Sequence, residues 1–162
     1  MSRMFSKCKS LISIDLSNFK TYNVSDMSSM FSKCKSLISI DLSNFKTDKL
    51  INLCGMFRCC NSLKSINLIS FNTNKAINMS YMFGWCEKLE EIDLRNFIIN
   101  DKNILLYMFS GCKSLKLINF SKLSINGCKF IELIFKNLSE ECFIICKDIR
   151  GLKSKIIKNN KK

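Results

Sequence analysis

Residues 4–21, MFSKCKSLISIDLSNFKT, recur without change at 30–47, a spacing of 26. The frame runs on as MFRCCNSLKSINLISFNT from Met56, MFGWCEKLEEIDLRNFII from Met82 and MFSGCKSLKLINFSKLSI from Met108. Five units therefore account for residues 4–133. A fixed period of this length is the mark of a repeat architecture, in which one small unit is stacked rather than folded alone.

Each column of the repeat has its own chemistry. Phe5, Phe31, Phe57, Phe83, Phe109 and Phe135 form one, and Cys8, Cys34, Cys60, Cys86 and Cys112 another. Met4 to Met108, Leu11 to Leu115, Ile14 to Ile118 and Phe19 to Phe97 repeat in the same way. Two periods share each unit. From Leu11 to Ser17 apolar residues alternate, with Ile14 and Leu16 on one side and Ser13, Asp15 and Ser17 on the other, which predicts a short strand. Val24, Met27, Met30, Phe31 and Cys34 recur at near-helical spacing, which predicts a short helix. The expected fold is therefore an α/β solenoid of 26-residue coils, with a parallel sheet on one face and short helices on the other.

The string M-F-x-x-C-x-x-L-x-x-I-D-L-S-N-F, preceded by V-S-D-M-S-S, resembles the leucine-rich repeats of BspA-type surface proteins. Leu11, Ile14 and Leu16 match the L-x-x-I-x-L strand core, and the resemblance covers about residues 1–133. It implies a right-handed leucine-rich-repeat solenoid and a role in adhesion, host contact or protein binding. It also implies a cell-surface or secreted location if a leader precedes Met1, and a cytoplasmic one otherwise. Family members carry a secretion signal and a longer array.

The expected organisation is five repeats over 1–133, a degenerate C-terminal capping repeat over 134–149 and a disordered basic tail over 150–162. The apolar run Cys142 to Cys146 reads as a last strand. Met1 aligns with Met27, in mid-unit, so the start reads as truncated. An uncapped first coil also offers a template for self-association.

Composition narrows function. The chain has no histidine, which removes the usual general base and the commonest zinc ligand. A line of thiols spaced by 26 residues cannot surround one ion tetrahedrally, so the cysteine column reads as small buried hydrophobes. No catalytic residue, metal site or cofactor is expected, and no apolar run is long enough to span a membrane. The 26 cations against 13 acids give a net charge of +13. Only four of the cations are arginine, the residue that specific phosphate recognition favours, so nucleic acid is not the expected partner.

The expected partner face is the outward strand surface, lined by Ser13, Asp15, Ser17, Ser39, Asp41, Ser43, Asn67, Glu91, Asp93, Arg95 and Asn119. Open faces of solenoids are their usual binding surfaces, and a protein partner is expected there. The alternative is a polyanion or anionic membrane surface held by the basic stripe Lys7, Lys9, Lys20, Lys33, Lys35 and Lys46 together with the tail. Trp85, the single tryptophan, stands where Lys7 and Lys33 stand in other units, and reads either as an exposed anchor or as a buried turn residue.

Overall fold

The computed structural model describes residues 1–124, 131–139 and 141–148. Successive 26-residue coils lie directly on one another, so that like residues meet. The rings of Phe5 and Phe31 stack with centroids 5.4 Å apart, and Phe31–Phe57, Phe57–Phe83 and Phe83–Phe109 follow at 5.6, 5.8 and 5.6 Å. Phe109 and Phe135 continue the ladder at 6.1 Å, with rings 2° from parallel. Met30, Cys34, Leu37, Ile40, Leu42 and Phe45 are buried, as are their counterparts one and two coils on, giving one continuous core.

One side of the stack carries a parallel sheet. β1 (Glu91–Asp93), β2 (Leu117–Ser124) and β3 (Phe143–Asp148) lie in that order, with Ile118 opposite both Ile92 and Ile144. β3 occupies the run read as a last strand. In the first three coils the equivalent stretches form no named strand, although Ile38 N–H donates to Ile12 and Lys64 N–H to Ile38 at 3.2–3.3 Å. In these coils, as after β1, the stretch ends where Ser17, Ser43 and Ile69 give their N–H groups to the Asx side chain two residues back. Segment 150–162, read as a basic tail, lies outside the described residues.

Among the described residues the predicted helices on the opposite face are almost entirely missing, which corrects the helical half of the α/β expectation. The one helix among the described residues is the single turn α1, Ile131–Ile134. Met27 to Cys34 instead forms a ribbon of overlapping turns. Met30, Ser32 and Cys34 donate to the carbonyl three residues back at 3.1–3.2 Å. Between them, Met27, Ser29, Phe31 and Lys33 donate forward to Asn52, Cys54, Met56 and Arg58 of the next coil at 2.7–3.0 Å. Left-handed residues recur twice per coil, at Ser29 and Lys33, Gly55 and Cys59, Tyr81 and Trp85, Tyr107 and Gly111.

Spacing explains the choice. An α-helix with its side chains is about 10 Å across, whereas the Phe ladder advances only 5.4–5.8 Å per coil. One helix per coil does not fit. A flat ribbon fits, and it satisfies its backbone by bonding alternately within the coil and to the next one.

Candidate functional site

The sheet face gathers the residues expected there. Ser13, Asp15, Ser17, Ser39, Asp41, Ser43, Asn67, Glu91 and Arg95 are exposed, while Asp93 and Asn119 are half-buried. The column Asp15, Asp41, Asn67 and Asp93 also has a structural task. One oxygen of each side chain accepts the N–H two residues on, at 2.8–3.0 Å, closing an Asx turn that ends the strand segment. Asp15 and Asp41 are held below the usual carboxylate range by the backbone N–H and then the side chains of Ser17 and Ser43. Asp93 is lowered chiefly by the Arg95 guanidinium, whose Nε donates at 2.7 Å and whose terminal nitrogen also contacts the carboxylate. Asp15 and Asp41 line a shallow cleft with Ile14, Leu16, Ser17, Ser43 and Asn44.

Other polar ladders were not anticipated from sequence. Thr21, Thr47 and Thr73 are buried, and each hydroxyl both donates to and accepts from one backbone unit of the next coil. A second Asx column, Asp26, Asn52 and Asn78, caps the entry to the ribbon through the N–H groups of Ser28, Cys54 and Ser80. The sequence signal in both cases is a polar residue that keeps its place in the repeat.

The turn ribbon carries the other concentration of chemistry. Arg3, Lys7, Lys9, Lys33, Lys35 and Arg58 are exposed there, and none joins an ion pair among the described residues. Lys20 and Lys46, placed in the same stripe from sequence, lie instead on the lateral edge between sheet and ribbon. Beyond Arg58 the ribbon turns aromatic. Tyr81 stacks on Tyr107 at 5.2 Å and lies parallel to Trp85 at 6.0 Å. The Arg58 guanidinium sits 5.1 Å above both the Tyr81 and Trp85 rings, and Lys136 Nζ lies 5.8 Å from Tyr107. Trp85 is half-exposed and lies against Gly111, where a Cβ would stand 2.8 Å from its Cδ1. These ring faces are already occupied by one another and by cations.

The cysteine ladder lies beneath. Cys34, Cys60, Cys86 and Cys112 are fully buried, whereas Cys8, in the first coil, is exposed. Burial pushes the Cys34 thiol up to about 11 and that of Cys112 to about 12, so neither supplies a thiolate near neutrality. Among the described residues no group of three His, Cys, Asp or Glu could hold a metal ion, and no helix is long and apolar enough to cross a membrane.

Residues 1–137 match a family model described as "Mycoplasma protein of unknown function, DUF285". No curated protein and no solved structure matches the chain.

Proposed function

We propose, for a chain that belongs to the DUF285 family, a non-catalytic protein-binding role in which a leucine-rich-repeat solenoid of BspA type presents its sheet face to a partner. The observation that carries the reading is the fixed setting of the outward column. Each acidic or amide side chain is oriented by its Asx bond, at one residue per coil. Pre-ordered side chains lose little conformational entropy on binding, which favours recognition across a wide surface without a deep pocket. The exposed carboxylates of Asp15, Asp41 and Glu91 suit a partner with basic or hydrogen-bond-donating groups, while Asp93 is already paired with Arg95. Adhesion or host contact is the setting that a BspA-type repeat implies. The reading assigns no reaction to the chain.

The test compares the natural chain with S13R/S39R/E91R, which blocks the face while leaving every Asx acceptor in place. Both are immobilised and exposed to cell-surface protein extracts. A protein retained by the natural chain and lost by a variant of unchanged melting temperature supports the reading. Equal retention by both overturns it.

A second reading, polyanion binding by the ribbon, is supported by the six exposed cations from Arg3 to Arg58 that lack an acidic partner among the described residues. Such binding collapses between low and moderate salt.

A further inference from the structure

Between the sheet and the turn ribbon each coil runs along a lateral edge, formed by residues 20–25, 46–51, 72–77 and 98–104. Ten large apolar residues stay exposed among the described residues, and five of them lie on this edge: Tyr22, Ile51, Ile77, Ile98 and Ile104. Ile51, Ile77 and Ile104 are 45–49 % exposed although they sit on three successive coils. Their backbones are locked. Ile51 N–H donates to Ser25 and Ile77 N–H to Ile51, both at 2.8 Å, and Ile104, one register position along, donates to Ile77 at 2.7 Å. Ile51 and Ile77 thus share one column on adjacent coils, and Ile104, in register with Asn78, stands in the neighbouring column one coil on, so the three gather on one edge with fixed backbones.

Charge surrounds these isoleucines. Lys20, Lys46, Lys49, Lys75 and Lys102 are exposed on the edge, against Asp48 and Asp101, so five cations face two anions. Lys49 Nζ reaches Asn23, and Asp48 accepts from the Asn72 side chain. None of the ion pairs among the described residues lies here.

We propose that this edge lays the protein on an anionic lipid bilayer, with the isoleucines at the acyl boundary and the lysines among headgroup phosphates. Apolar rows flanked by lysine are what an interfacial binder needs, and Tyr22 suits the headgroup level. A bilayer satisfies both halves of the pattern at once. Repulsion between the lysine rows opposes pairing of two copies through the same edge. The surface is separate from the sheet face and from the ribbon cations Lys7, Lys9, Lys33 and Lys35.

The experiment is co-sedimentation of the full chain with vesicles of phosphatidylcholine alone or mixed with phosphatidylglycerol. The natural chain should partition onto the mixed vesicles and not onto the neutral ones. I51S/I77S/I104S, at unchanged melting temperature, should lower partitioning about tenfold or more. K49Q/K75Q/K102Q should lower it as well, and S13R/S39R/E91R should leave it unaltered. Absence of binding to the mixed vesicles overturns the proposal. So does binding that survives the isoleucine variant, and loss on K7Q/K9Q/K33Q/K35Q alone would assign the contact to the ribbon.

Discussion

The thiol of Cys60 donates to the carbonyl oxygen of Phe31, one coil back, at 3.1 Å. The same bond joins Cys34 to Phe5, Cys86 to Phe57 and Cys112 to Phe83 at 3.0–3.1 Å. Each of those carbonyls also accepts a local N–H from the ribbon. Cysteine therefore holds its column for two reasons: it is small enough for the core, and it is a weak donor that satisfies a carbonyl.

Replacing Cys60 with Ala should cost about 1 kcal/mol, from the lost donor and a small void. Leu at the same place should cost more, because the stacked rings leave no room for it. Denaturant melts of C60A and C60L give both values. Equal stability of C60L and the natural chain would show that the column is not tightly packed.

Burial protects the ladder from reagents. Alkylation of the folded protein at neutral pH should modify Cys8 first and spare Cys34, Cys60, Cys86 and Cys112 until unfolding, as peptide mapping will read. The raised thiols also set an alkaline limit. Cys34 and Cys142 stand near 11 and Cys112 near 12, above the ordinary value of 9.0. The folded state then keeps protons that the unfolded chain releases. Its advantage is fully present below about pH 9 and is lost as pH rises through the folded values. A stability profile should fall above pH 9, and less steeply in C34A/C112A.

Gly111 has φ of +75° and sits under Trp85. G111A should push the indole aside and cost about 1–2 kcal/mol through strain at a left-handed position. Trp85 is the single tryptophan, so its emission reports the movement directly. Unchanged emission and stability would mean that the indole is not held by this contact.

The Asx columns predict an acid limit. Asp15, Asp41 and Asp93 are lowered in the folded state, so their stabilisation is present above the unfolded carboxyl value and is lost as pH falls through the folded ones. Stability should decline below about pH 4. The triple variant D15N/D41N/D93N keeps the acceptors and should flatten that decline. In the second column, N52A should cost about 1 kcal/mol by freeing the Cys54 N–H.

The stacking was legible because the apolar columns repeat without slippage, and Phe5, Phe31 and Phe57 meet face to face as the period requires. The ribbon was not legible. Apolar residues three and four apart suit both a helix and a run of turns with bonds to the third residue, and periodicity alone does not separate them. Glycine would have given the ribbon away, but nine of its eleven left-handed positions among the described residues, Ser29, Lys33, Tyr81 and Trp85 included, are held by other residues. The outward column from Asp15 to Asn119 was identified as a face. The Asx role of Asp15, Asp41, Asn67 and Asp93 rests on a backbone N–H two residues on, which D-x-S spacing marks only at Asp15 and Asp41, a weaker cue than alternation.

On the ribbon side the coils give N–H groups forward, as Met27 does to Asn52, and on the sheet side they also receive them from the coil ahead, as Ile12 does from Ile38. Each layer thus opens the same set of valences that it closes. Insertion or deletion of a whole 26-residue layer leaves the backbone bonding pattern of the remaining junctions intact, whereas side-chain contacts such as Tyr81 on Tyr107 and Trp85 on Gly111 belong to particular neighbours and would be lost with them.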